Sequence, residues 1–256
     1  MDKARAADAF LGGRLKLHQP AAGHRAGTDA VLLAAAVPAD VAGLAIDAGS
    51  GVGAAGLAAA MAGPTLRMAL LEREPDLAAF ARDNIAANQL HDRVFVTEAD
   101  LLSPASCRAV GLAPQSADLV LTNPPFLSAD RVRTSPHRSK AKAHVIGDGG
   151  LTAWMRACLA RLRPGGTFLM IHRAEALGEI LRDASPQLGA LIILPIIPMA
   201  GRPATRILVR GLKGRRTPLT LASPLVLHEP DGAFTAEAEA LHRGDARIDW
   251  NALSHP

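Results

Sequence analysis

The 256-residue chain contains no tyrosine, only two cysteines and two tryptophans, and its aromatic share is 3%. Cys107 and Cys158 do not form a Cys-x-x-Cys pair, so no disulfide framework is expected and a reducing compartment fits. The nine histidines never fall at a ligand spacing such as His-x-x-x-His with a carboxylate between, which leaves no basis for a metal site. Long hydrophobic runs are also missing. The longest, Ala190 to Met199, is interrupted by Pro195 and Pro198 and is too short to span a bilayer, and the first ten residues lack an apolar signal region. The expectation is a soluble, cytoplasmic chain without a membrane partner. Internal repeats and low-complexity linkers are absent as well, which excludes solenoid and tethered-domain architectures.

What is present is ordinary globular material: 49% hydrophobic and 20% charged residues, at a length suited to one large α/β domain. A net charge of +4 and an isoelectric point near 9.6 are compatible with a polyanionic partner. Short apolar runs alternate with longer Ala/Leu-rich runs, the pattern of βαβ units. Strands are expected at Leu44 to Ala48, Arg67 to Glu72, Arg93 to Glu98, Ala117 to Thr122 and Thr167 to His172. Two further runs, Leu191 to Ile197 and Ala204 to Val209, are joined by a turn too short for a crossover helix and should be antiparallel. The fold class is therefore α/β, a doubly wound, mostly parallel seven-stranded sheet of Rossmann-like type with an antiparallel C-terminal hairpin. Pro75 suits the first turn of a helix whose buried face carries Leu77, Phe80, Ala81 and Ile85. Another helix starts near Gly150 and stops at Pro164-Gly165-Gly166. A third starts at Thr28 or Asp29, either of which suits an N-cap.

The segment Asp47-Ala-Gly49-Ser-Gly51-Val-Gly53 follows a strand and opens an Ala-rich helix, so its backbone N–H groups lie where a ligand can approach. Gly51, Gly53 and Gly56 also satisfy Gly-x-Gly-x-x-Gly, and Glu72 stands where a ribose-binding acid is expected, so a nicotinamide-dependent dehydrogenase is one reading. Two carboxylates favour S-adenosyl-L-methionine instead. Asp47 beside the loop repels a pyrophosphate but suits the ammonium of a methionine moiety. Asp100, at the end of the third strand region, can accept a hydrogen bond from an adenine amino group, or simply cap the helix that follows.

The fourth strand runs directly into Asn123-Pro124-Pro125-Phe126, at the carboxyl edge where open α/β sheets bind ligands. An exocyclic amine conjugated with a ring is a poor nucleophile, so an enzyme must hold and polarise it. The Asn123 side-chain oxygen and the Pro124 carbonyl can accept its two hydrogens, and the prolines fix those acceptors in advance. Phe126 can stack on the base.

Together DAGSGVG, LLERE, EADLL and NPPF, in that order, resemble the class I S-adenosylmethionine-dependent methyltransferases of the NPP(Y/F) type. GHRAGTDAVLLAAAVP, Gly23 to Pro38, is similar to a segment of the bacterial tRNA(Val) adenine-N6 methyltransferase family, and RLRPGGTFLMI resembles that family's fifth strand. The resemblance implies that Gly27, Thr28 and Asp29 lie near the methionine end of the cofactor, with Glu72 on its ribose and Asp100 and Leu101 at its adenine. It divides the chain into an N-terminal basic segment and cofactor-proximal helix (1–38), a methyltransferase core (39–211) and a C-terminal extension packed on it (212–256). Phe126 replaces the usual tyrosine, which keeps stacking and loses the phenol.

Arg131, Arg133, Arg138, Lys140 and Lys142 follow the catalytic motif, and Arg14, Lys16 and Arg25 form an earlier basic stretch. Both are candidate phosphate contacts for an RNA, with tRNA the expected partner. The alternatives to adenine N6 are a protein glutamine or a small-molecule acceptor and, outside this chemistry, the dehydrogenase or an inactive RNA-binding module.

Overall fold

The computed structural model describes residues 7–21, 25–125 and 150–254. Its main sheet forms because alternate residues of each inner strand are apolar on both faces. In β3 (Gly43–Ala48), β6 (Ala117–Thr122) and β7 (Leu162–Arg173), Ala45, Leu119, Leu121, Leu169 and Ile171 enter one core. Their neighbours Ile46, Ala48, Val120, Phe168 and Met170 enter the other. A strand with both faces buried needs helices on both sides, and the chain supplies them. Helices α1 (Thr28–Ala35), α2 (Ala54–Ala62) and α3 (Pro75–Ala87) cover the first face. The second is covered by α4 (Pro104–Ala109), α5 (Gly150–Arg161) and α6 (Leu177–Ala184).

With β4 (Leu66–Glu72), β5 (Val94–Glu98), β8 (Leu188–Met199) and β9 (Arg206–Lys213), the sheet runs β8-β9-β7-β6-β3-β4-β5. All contacts from β7 to β5 are parallel, whereas β9 lies antiparallel to β7 and to β8. The expected seven strands and hairpin are thus in place. Two short strands, β10 (Thr220–Leu221) and β11 (Leu225–His228), add to β8 in parallel and bring the sheet to nine. A separate hairpin of β1 (Asp8–Phe10) and β2 (Leu15–Leu17) precedes the sheet.

Strand order reverses direction at β3: β4 and β5 continue to one side of it, and β6 returns on the other. The crevice of such a sheet opens above this switch point, between the loops after β3 and β6. Register brings the two loops level, because Ala48 pairs with both Leu71 and Thr122.

Two expectations about helices are corrected. The N-cap of α1 is Gly27, with no side-chain cap, so neither Thr28 nor Asp29 fills that role. In α3 the buried residues are Ala78, Ala81, Asn84 and Ile85, and Leu77 and Phe80 are only half-buried. The face is turned because α3 also carries β2 and the residue that follows it. Asn84 accepts from His18 N at 2.6 Å and donates to His18 O and Val52 O at 3.0 Å. One turn later, Asn88 accepts from Lys16 N at 2.9 Å and donates to Lys16 O at 2.7 Å. The two amides satisfy the backbone of Lys16 and His18 along the edge of β2 that faces away from β1.

The C-terminal residues are part of the same molecule. Helix α7 (Ala236–Arg243) is capped by Thr235, whose hydroxyl accepts from Ala238 N, and α8 (Trp250–Ser254) follows. Leu241, Ile248 and Trp250 are buried in the core cluster that holds α1.

Candidate active site

A cleft of about 460 Å³ opens at the switch point, within the range of small-molecule and cofactor sites. Its wall combines Gly27, Thr28 and Asp29 with Asp47, Gly49, Glu72, Asp100, Leu101, Asn123, Pro124 and Pro125. Residues expected at both the cofactor and the acceptor therefore share one cavity. Gly51 and Gly53 do not line the cleft; Gly53 is the left-handed N-cap of α2. Phe126 and the cations Arg131, Arg133, Arg138, Lys140 and Lys142 lie outside the described residues. Of the earlier basic stretch, Arg25 lines the cleft and pairs with Asp8. Arg14 instead pairs with Asp245 at 2.5 Å and donates to Gly244 O, and the exposed Lys16 side chain does not reach the cleft wall.

The glycine loop uses its own amides. Gly49 N and Ser50 N donate to Leu71 O at 2.9 and 3.0 Å, and Gly53 N donates to Ser50 O at 2.8 Å. Gly51 N donates to Glu72 Oε2, and Gly56 N to Asp47 Oδ2, both at 2.8 Å. A phosphate nest needs free N–H groups. Here five of them are spent on carbonyls and on two carboxylates, and the Glu72 carboxylate at Gly51 N opposes a pyrophosphate at that point, despite the dinucleotide-like spacing.

Asp47 is 3% exposed. Burial pushes its carboxyl up to about 7; the Gly56 N–H opposes the shift and the nearby Glu72 charge adds to it. Glu72 Oε1 also accepts from Arg73 N and Glu74 N at 2.9 Å, which aims its carboxylate along the cleft edge. Asp100 does not cap α4: that place belongs to Ser103, which accepts from Ser106 N. Asp100 Oδ1 accepts from Leu102 N at 2.9 Å and holds the turn that borders the cavity.

Across the cleft, Asn123 Oδ1 is a buried acceptor that finds no hydrogen-bond partner among the described residues, and Ser50 Oγ is another. A buried polar atom left unpaired costs about 1–3 kcal/mol, so two of them in the wall of one cavity mark where a ligand's hydrogens belong.

The methyltransferase small domain family matches residues 24–176, a span that carries both loops and strands β3 to β7. The chain belongs to the methyltransferase small domain family. Its similarity to individual proteins extends further. It is 31% identical over 82% of its length, and 85% of the relative's, to an Aeromonas hydrophila protein named tRNA1(Val) (adenine(37)-N6)-methyltransferase. A Porphyromonas gingivalis protein of the same name is 35% identical over 50% of this chain and 52% of its own. Among solved structures, a predicted O-methyltransferase of Agrobacterium tumefaciens superimposes with a TM-score of 0.72 at 32% identity, covering 86% of this chain and 98% of that one.

For a methyltransferase of this family the cofactor is S-adenosyl-L-methionine, and the cleft fits it. The cofactor is cationic at sulfur and nitrogen and carries a ribose diol. The cleft offers the carboxylates of Asp47, Glu72 and Asp100 and the side-chain oxygens of Asn123 and Ser50, which have no partner among the described residues, with apolar surface from Leu71, Leu77 and Leu101.

One residue of the cleft wall is not among those singled out from the sequence. Trp154, in α5, lines the cleft and donates from Nε1 to Thr122 Oγ1 at 3.0 Å; Thr122 in turn donates to Ala48 O at 2.8 Å. Its ring lies against Gly49, whose φ is +73°, so closely that a Cβ there would come within 2.8 Å of the indole. Trp154 thus ties the strand ending before Asn123 to the strand ending before the glycine loop. Its helical spacing is that of any core residue, so only an indole N–H needing a buried partner distinguished it.

Proposed function

We propose that this chain transfers the methyl group of S-adenosyl-L-methionine to N6 of an adenine in tRNA, with A37 of tRNA1(Val), the site named for the relatives, as the first candidate. The observation that carries the reading is the buried Oδ1 of Asn123, without a partner among the described residues and set at the end of β6 in the same cleft as the glycine loop. The bound cofactor supplies an electrophilic methyl carbon on a sulfonium. The chain's task is to deliver the amine. Asn123 Oδ1 and the Pro124 carbonyl accept the two N–H hydrogens, which draws the nitrogen lone pair out of conjugation and towards the methyl group, and stabilises the positive charge that develops on nitrogen.

Pro124 and Pro125 hold those acceptors in place before substrate arrives, so little reorganisation accompanies transfer. The following residue, Phe126, is suited to stacking on an extruded base, and the cations from Arg131 to Lys142 to contacting phosphates. A tRNA acceptor puts the enzyme in the cytoplasm; no helix among the described residues is long and apolar enough to cross a membrane.

The test is to incubate the protein with methyl-labelled cofactor and unmodified tRNA, digest to nucleosides and separate them. Label should run with N6-methyladenosine. Label in another nucleoside, or in protein alone, would reject the assignment.

A further inference from the structure

The helix that opens the cleft, α1, is gripped at both ends by residues from the C-terminal part of the chain. At its C-terminus, Ile248 N donates to Ala35 O at 2.9 Å and Trp250 Nε1 donates to Ala36 O at 2.6 Å. At its N-terminus, Thr28 Oγ1 lies 3.2 Å from His242 Nε2. The other ring nitrogen, His242 Nδ1, lies 2.8 Å from Ala238 O. A carbonyl can only accept, so Nδ1 carries the proton of the neutral ring and Nε2 is left as an acceptor. The hydrogen between Nε2 and Oγ1 must then come from Thr28. Phe234 stacks on the same imidazole, with centroids 4.2 Å apart, and on His228 behind it at 4.8 Å, which fixes the ring plane.

Thr28 lines the cleft. Its hydroxyl is not used in capping, since the cap of α1 is Gly27. With its hydrogen committed to His242, Oγ1 has only lone pairs left to offer a ligand.

We propose that His242 is a positioning residue for cofactor binding: it turns the Thr28 hydroxyl into a fixed acceptor that receives a hydrogen from the ammonium of the cofactor's amino-acid portion. The neighbouring Asp29 is already paired with Arg206 at 3.0 Å, so its charge is largely answered within the protein. A fixed neutral acceptor recognises the ammonium without adding a further charge to a wall that already carries Asp47. This assigns the C-terminal residues a part in the site, and it holds whatever the methyl acceptor proves to be.

The experiment is calorimetric titration of the full chain with three probes. S-adenosylhomocysteine carries both the ammonium and the carboxylate, its decarboxylated amine carries the ammonium alone, and 5′-methylthioadenosine carries neither. Thr28→Val removes the hydroxyl at nearly constant shape, and His242→Phe keeps a ring for Phe234 while removing both nitrogens. Each should weaken the two amine-bearing probes by about tenfold and leave 5′-methylthioadenosine within about twofold, as expected for one lost hydrogen bond to a charged group. The double variant should be no worse than Thr28→Val, because both act through one contact. Equal losses on all three probes, or none on any, would overturn the proposal. If His242→Phe fails to fold, the probe selectivity of Thr28→Val decides the question alone.

Discussion

Trp154 and Thr122 meet at 3.0 Å through the indole N–H and the threonine hydroxyl, and that hydroxyl passes its own hydrogen to Ala48 O at 2.8 Å. A single indole thereby braces the glycine loop against the motif that begins at Asn123. Trp154→Phe keeps the ring against Gly49 and removes the donor. We expect a loss of about 1 kcal/mol in denaturant stability. The single-turnover transfer rate should fall several-fold while cofactor affinity changes little, since near-attack geometry is sensitive to small displacements. An unchanged rate would show that the two loops hold their spacing without the bond.

Asn123→Ala should reduce transfer at saturating cofactor by at least about a hundredfold, the usual magnitude when one preorganised transition-state contact is removed. Binding of S-adenosylhomocysteine should stay within about twofold and the melting temperature should not fall, because Oδ1 has no hydrogen-bond partner among the described residues. Retained activity would remove Asn123 from the chemistry.

Gly56→Ala should have the opposite sign from an ordinary helix substitution. Alanine normally stabilises a helix by about 1 kcal/mol over glycine. Here the added Cβ would lie 2.4 Å from Leu70 Cδ2 and 2.9 Å from Asp47 Oδ2. We expect a destabilisation of about 1–3 kcal/mol, as for other overpacked core sites, together with weaker cofactor binding. Chemical denaturation with and without S-adenosylhomocysteine measures both.

Asp47 should make cofactor binding depend on pH. Burial raises its carboxyl to about 7, so the folded protein without ligand favours the neutral acid. That contribution to stability is fully present below the ordinary value of 3.8 and is lost as the pH rises through about 7. A cationic ligand favours the carboxylate, so binding expels the proton and becomes easier as the pH rises. The Kd for S-adenosylmethionine should therefore fall between about pH 6 and about pH 8 and then level off, and this dependence should flatten in Asp47→Asn. Titration calorimetry at the two pH values, in buffers of different ionisation enthalpy, counts the released proton. The same Kd at both pH values would show that Asp47 does not sense the cofactor's charge.

Much of the sheet was legible because parallel strands buried on both faces have a narrow vocabulary. Ala117 to Thr122 came out to the residue, and β3 and β4 to within one residue at their N-terminal ends. The errors cluster where a side chain answers to something distant in sequence. Leu77 and Phe80 read as core by spacing, yet α3 turns to give a fully buried position to Asn84, because His18 and Val52 need its amide. Nor does local sequence show that Arg14, a candidate phosphate contact, stands beside Asp245, 231 residues away.

What the sequence determined by itself is local and chemical. The order of strands and helices follows from apolar periodicity, and the placing of Asn123 and Asp47 at strand ends follows from the residues around them. Tertiary structure alone decided which of these groups face one another and which are already satisfied. It gave Gly51 N to Glu72 and Gly56 N to Asp47, left Asn123 Oδ1 and Ser50 Oγ without partners among the described residues, and brought Trp154 to Thr122 and His242 to Thr28. A hydrogen bond needs its partner within about 3 Å, and no local pattern encodes which residue arrives there from 32 or 214 positions away.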